Sequence, residues 1–305
     1  MRDFVLFFEE KEGTSAMMRW ADRLDGVDVL HHTNGRGWEP LEPFLLGDDL
    51  KQHEIERLLT LVFAKPRDEE TLRQAYAEKR SDRELVPLGE RRSVGFKMRW
   101  KPPRVLHVGA NLIDLPVNRL FKSRRRQRYL EAMVRILQEH DVQPMLAVRQ
   151  NVFAWALSKY HGDGQGGKGH LQFKLASGEL DREDIPKVRV DLKRFGRLVE
   201  QCRRKHDAKR AFVQTLNVHG LSVKPLLYED FLEDKAGFFE GFLTCLGHTV
   251  DRSALERAFE GDIDLKRVHK GPLSEYVENH AALEREFGSA SVSYTHLTLP
   301  TSSQV

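Results

Sequence analysis

Apolar and polar positions follow a repeating order along the chain, in which a short apolar run precedes a longer stretch with helical spacing. The runs near residues 4 to 8, 27 to 31, 93 to 98, 104 to 108, 143 to 148 and 223 to 228 predict strands. Helical spacing predicts helices over 14 to 24, 50 to 64, 68 to 80, 123 to 140, 151 to 160, 187 to 205, 208 to 219, 232 to 246 and 272 to 286. Strands that alternate with helices predict an α/β chain on a mostly parallel sheet. Ligands in such sheets sit at the carboxyl ends of the strands, so the loops that follow strands are the places to look for chemistry.

The first of these loops is an anion site in outline. Residues 4 to 18 read FVLFFEEKEGTSAMM, an apolar strand that empties into a glycine-containing turn and then a helix start. Such a turn presents free backbone N–H groups and the positive end of a helix dipole, which favour phosphate or sulfate. Lys11 adds a point charge, and the Thr14 and Ser15 hydroxyls add donors. The turn is not a Walker A loop. That motif needs a glycine five residues before a Gly-Lys pair, and residues 7 to 12 contain none, which disfavours an ordinary ATP or GTP site.

A second loop of the same kind lies further along. Residues 143 to 160, QPMLAVRQNVFAWALSKY, form a predicted strand ending at Arg149 and a helix starting near Asn151 with Phe153, Ala156 and Leu157 on one face. Lys11, Gly13, Thr14 and Ser15 resemble the 5′-phosphosulfate loop of the sulfotransferases, and Arg149 with Ser158 resembles their pair for the 3′-phosphate of 3′-phosphoadenosine 5′-phosphosulfate (PAPS). A planar guanidinium grips a phosphate through two parallel hydrogen bonds, while a hydroxyl two turns into the helix closes the other side. Three further stretches are similar to the same family in its order. SVGFKMRW at 93 to 100 would place Lys97 near the active site. LLYEDFLEDKAGFFEGFLTCLG at 226 to 247 resembles the late strand and helix. LKRVHKGPLSEYVENHAAL at 265 to 283 resembles the C-terminal basic loop, with Lys266, Arg267 and Lys270 as loose equivalents of its cations.

The resemblance, to the bacterial carbohydrate and lipid type, implies a three-layer α/β sandwich of the P-loop NTPase-like sulfotransferase fold. It implies transfer of a sulfonate group from PAPS to a hydroxyl of a carbohydrate, lipid or small metabolite, with no metal. Lys11 would neutralise charge on the bridging oxygen. Glu39 in HHTNGRGWEPLEPF, residues 31 to 44, resembles a Glu-Pro element whose carboxylate can deprotonate an acceptor, and Glu42 and His32 are rivals for that role. Glu12 beside a polyanion is an anomaly unless it turns away from the site. It keeps open a non-catalytic binding protein as an alternative, alongside a P-loop-like kinase.

Composition narrows the picture further. The chain has 305 residues, 40% hydrophobic and 31% charged, which suits one large α/β domain over residues 1 to 290. The absence of an 18-residue apolar stretch and of a secretory-type N-terminus makes the cytoplasm the expectation. Cys202 and Cys245 have no CxxC spacing and no ligand cluster around them, so neither a disulfide framework nor a zinc site is expected. With a net charge of only +3, the basic run KSRRRQR at 122 to 128 reads as a helix face or an anionic-substrate patch rather than a nucleic-acid site. GDGQGGKG at 162 to 169 satisfies G-x-G-x-x-G, but it follows a helix instead of a strand and reads as a loop over the acceptor. After residue 287 there is no charged residue, and 291 to 305 reads as a disordered, non-native tail.

Overall fold

The computed structural model describes residues 1–31, 52–78, 93–99, 130–164, 187–260 and 273–289. Five strands form one sheet: β1 Phe4–Phe8, β2 Val27–Val29, β3 Ser93–Arg99, β4 Gln143–Val148 and β5 Lys224–Leu227, in the order β2-β3-β1-β4-β5. Every pairing is parallel. The expected strand at 104 to 108 lies outside the described residues.

Ten helices are described. They are α1 Thr14–Ala21, α2 Gln52–Phe63, α3 Glu69–Ala77, α4 at 130–139, α5 Val152–Gly164, α6 Leu192–Val218, α7 Tyr228–Glu233, α8 Lys235–Cys245, α9 Arg252–Phe259 and α10 His280–Phe287.

β1 is the central strand, and all five of its residues are buried. Its side chains alternate between two cores, as the two-residue period of a strand requires. Val5 and Phe7 pack with Phe96 and Leu146 under α2, α3, α4 and the end of α6. Phe4, Leu6 and Phe8 pack with Met17, Trp20, Phe239 and Phe242 from α1 and α8. The result is helix, sheet and helix in three layers. Burying an apolar side chain contributes about 1.5–3 kcal/mol, so the strand that feeds the first loop is firmly held. Gly95 of β3 stands opposite Phe4, and a Cβ there would overlap the Phe4 ring. The glycine of the G-F-K stretch therefore makes room in the core, two residues before Lys97.

Four helix expectations differ from the structure. The pieces 187 to 205 and 208 to 219 are one helix, α6, which begins where the Asp191 carboxylate accepts from the Arg194 N–H. Before it, the chain is extended and bridges to Val277. The apparent break falls at His206, which, like Lys209 a turn later, is a polar residue in a buried slot of the stripe Phe195, Val199, Cys202, Val213 and Leu216. The expected 232 to 246 is split by Asp234, which caps α8 by accepting from the Gly237 N–H. Where 272 to 286 was expected as helix, the α-helix is His280–Phe287, after a short 3-10 turn at Leu273–Glu275. Helix α9 was not expected at all.

Candidate active site

The loop from Glu9 to Gly13 joins β1 to α1 at the carboxyl edge of the sheet. Lys11 (φ 67°) and Gly13 (φ 76°) are both left-handed. Left-handed residues followed by ordinary ones turn successive N–H groups toward one side, which makes an anion-binding concavity. Gly13 is the N-cap of α1 with no side-chain cap, and no acidic residue stands in the first turn. Its carbonyl accepts from Ala16 and Met17, as a helix start requires.

Left-handed backbone costs a lysine roughly 1–2 kcal/mol, so surrounding contacts must hold it. The Trp155 indole of α5 donates to the Glu10 carbonyl at 2.8 Å, and Arg149 Nη1 donates to the Lys11 carbonyl at 2.9 Å. The Glu9 N–H donates to Glu12 Oε2 at 2.7 Å. At Gly13 the constraint is steric as well: a Cβ would overlap the Tyr228 ring.

Two of the expected residues, Lys97 and Arg149, meet at this loop. Lys97 of β3 is buried, and its Nζ lies 2.8 Å from Ser15 Oγ and 3.4 Å from Thr14 Oγ1, with the Phe8 ring 4.6 Å away. Arg149, directly after β4, lies with its guanidinium 4.7 Å from the Tyr228 ring. The same ring therefore packs against both Gly13 and Arg149. Burial pushes the Arg149 pKa below its ordinary value, while Tyr228, Glu229 and Glu12 pull it back up. Arg149 Nε is buried without a hydrogen-bond partner among the described residues. Ser158 stands half-buried on α5, two turns beyond Asn151.

Glu12 turns away from the concavity. It is fully buried and ion-paired to Lys209 of α6, whose Nζ also donates to the Ala147 carbonyl at 2.7 Å. Burial raises the Glu12 pKa and lowers that of Lys209, and each charge offsets part of the other's penalty. Glu9 is paired to Lys205, and Glu10 to Arg99 at 2.6 Å.

Glu39, Glu42, His32, Lys266, Arg267 and Lys270 lie outside the described residues, as do the KSRRRQR run and residues 165 to 169 of the glycine-rich stretch. Burial pushes the Cys202 thiol up to about 12 and the Cys245 thiol up to about 11, so neither is a thiolate at neutral pH. Sequence reasoning missed Tyr228, Trp155, Glu229 and Lys209. The signal for Lys209 was present: together with His206 it interrupts an apolar stripe whose spacing continues on both sides.

Among the described residues, no helix is long and apolar enough to cross a membrane, and no group of three His, Cys, Asp or Glu could hold a metal ion. No protein-family model matches the chain, and no curated protein matches it in sequence. Among solved structures, the chain is similar to the crystal structure of sulfotransferase STF9 from Mycobacterium avium, with a TM-score of 0.37 and 13% identity over 94% of this chain and 75% of that one.

Proposed function

We propose that the chain is a sulfotransferase that moves a sulfonate group from PAPS to a hydroxyl of a carbohydrate, lipid or small metabolite. The observation that carries this reading is the pre-formed concavity at Lys11–Ser15, with Lys97 hydrogen-bonded to its hydroxyls and Arg149 bound to its backbone. The donor set suits a nucleotide with two separated anionic groups. Uncapped amides and two lysines serve one group, and a guanidinium with an unspent Nε serves the other. PAPS would supply the sulfonate as an activated mixed anhydride.

The chain's part is alignment and charge. The N–H groups of Gly13, Thr14 and Ser15 with the two hydroxyls would bind the 5′ end, and Arg149 with Ser158 would bind the 3′-phosphate. Lys11 and Lys97 put positive charge where negative charge develops, which stabilises the transition state without a metal. Glu39, with Glu42 as its rival, is proposed as the base for the acceptor hydroxyl, and Lys266 and Lys270 as further phosphate cations. A non-catalytic binder drew its support from Glu12, and that support weakens because the carboxylate is paired to Lys209.

The test is calorimetry with 3′-phosphoadenosine 5′-phosphate (PAP), 5′-AMP, ATP and GTP. PAP is expected to bind best, and Arg149→Ala to erase most of its advantage over 5′-AMP. A lost charge-assisted bond costs about 1.5–3 kcal/mol, or roughly tenfold to a hundredfold in affinity. Equal affinity of the unmutated chain for PAP and 5′-AMP rules the reading out, and a transfer that stops in EDTA and returns with magnesium favours a kinase.

A further inference from the structure

The loop proposed to receive a polyanion is itself acidic: Glu9, Glu10 and Glu12 flank its single lysine. Each carboxylate is met by a cation from a distant part of the chain. Glu10 faces Arg99 at 2.6 Å and Lys159 at 4.0 Å, on its exposed side. Glu9 and Glu12 are met by Lys205 and Lys209, one helical turn apart on α6 and therefore on one face of it.

The Lys209 ammonium is fixed on three sides. It holds Glu12, donates to the Ala147 carbonyl of β4, and lies 5.5 Å from the Trp155 ring. Trp155 in turn donates to the Glu10 carbonyl, so the lysine, the indole and the loop form one packed unit. The Glu12 carboxylate is close enough to Arg149 to favour its charged form. An unmasked Glu12 would therefore compete with a ligand phosphate for that guanidinium and repel the ligand itself.

We propose that Lys209 and Lys205 are positioning residues that cancel the loop's own acid charge and hold its left-handed turn before ligand arrives, so that the loop accepts a dianionic phosphate or sulfate group. The proposal rests on the loop's being the 5′-phosphosulfate site. It makes α6 part of the binding machinery, although neither lysine touches the ligand.

The test compares PAP affinity, by calorimetry, for the unmutated chain, Lys209→Met, Glu12→Gln and the double variant, with thermal unfolding measured alongside. Lys209→Met should weaken PAP binding about tenfold or more, because Glu12 then loses the cation that offsets its charge and holds it away from the concavity and from Arg149. The double variant carries neither charge and should return to within about threefold of the unmutated chain. A merely structural ion pair predicts a lower unfolding temperature with unchanged affinity of the folded protein. Folded Lys209→Met that binds PAP within about twofold of the unmutated chain, or a double variant as weak as Lys209→Met, overturns the proposal.

If Lys209→Met does not fold, the more exposed pair gives the same reading. Lys205→Met should weaken PAP binding about threefold, and Glu9→Gln/Lys205→Met should restore it. Flat affinities across that pair count against the proposal. An unmutated chain that ignores PAP fails the nucleotide reading instead. The same variants titrated with inorganic pyrophosphate then decide the masking, and no pyrophosphate binding by the unmutated chain ends both.

Discussion

The helix starts that follow β1 and β4 are neighbours on the sheet edge, yet they are finished in opposite ways. Helix α1 begins at Gly13 with no side-chain cap and no acid in its first turn. Before helix α5, the Glu229 carboxylate accepts from the Gln150 and Asn151 N–H groups at 3.0 Å each, and Asn151 Oδ1 accepts from the Ala154 N–H at 2.8 Å. A carboxylate at a helix start satisfies the groups that would otherwise bind an external anion. The second start is therefore closed by the protein's own anion, and the first is left open. In the proposed reading, recognition at the second loop would pass from backbone to side chain, to Arg149 and Ser158. Tyr228, next to Glu229 in sequence, packs against Gly13 of one loop and Arg149 of the other, so one short segment closes one helix start and shapes the other.

The largest expected effect comes from filling the open start. Gly13→Ala adds a Cβ to a left-handed residue, at roughly 1–2 kcal/mol, and drives it into the Tyr228 ring, where overpacking costs about 1–3 kcal/mol. The Tyr228 ring must move, and Arg149 loses the surface it rests on. PAP affinity should fall about a hundredfold, since charge-assisted bonds worth about 1.5–3 kcal/mol each no longer converge on one group. Calorimetry that finds affinity unchanged would mean that the anion does not sit at α1.

Emptying the closed start is the reciprocal experiment. Glu229→Ala removes two bonds from backbone N–H groups to a charged acceptor and should destabilise the fold by about 1.5–3 kcal/mol in urea. Sulfate should then restore more stability to the variant than it adds to the unmutated chain, because the freed amides regain an anion. The same sulfate response in both proteins would show that Glu229 was not occupying an anion site.

The contrast between the two starts was half legible in the sequence. The open start could be read locally, because strand, lysine, glycine and hydroxyls are contiguous and each has a physical reason to be there. Lys97 and Arg149 were legible through the resemblance of their stretches to sulfotransferase motifs, Arg149 also as the residue that ends a predicted strand. The closed start was not, since the Glu229 carboxylate and the amides it caps are 78 and 79 residues apart, and a Tyr-Glu-Asp string does not say what it caps. The pairing of Glu12 with Lys209 spans 197 residues, and a lysine within a charged helix reads as solvated until its neighbours in the apolar stripe are counted. Parallel sheet and helix layers followed from periodicity, whereas the join at His206 in α6 did not, because polar side chains occupy buried positions there.

His206 lies behind both starts, with its ring 5.0 Å from Trp155 and its side chain near the Arg149 backbone. Burial lowers its pKa to about 3 from an ordinary value of 6.5, with Lys209 adding to the effect. Between those values the unfolded chain takes a proton that the folded chain refuses, so stability falls as pH drops below about 6.5. By pH 5 the loss should reach roughly 2 kcal/mol, and His206→Leu should remove that part of the slope. Urea midpoints at pH 7, 6 and 5 that decline equally in both proteins would dismiss His206 as the cause.

The smallest effect probes the side chains that take over at the closed start. Ser158 is half-buried on α5, and a neutral hydrogen bond to a ligand contributes about 0.5–1.5 kcal/mol, so Ser158→Ala should weaken PAP binding roughly twofold to tenfold. Magnitude alone cannot distinguish a shared phosphate from an independent contact, but coupling can. If Arg149 and Ser158 grip one 3′-phosphate, removing the guanidinium displaces that phosphate, and Ser158→Ala should cost little more in the Arg149→Ala background. Binding of 5′-AMP, which has no 3′-phosphate, should not respond to Ser158→Ala. Additive losses in the double variant, or an equal loss for 5′-AMP, would separate Ser158 from the phosphate and leave Arg149, with its unspent Nε, as the sole anion contact assigned to the closed start.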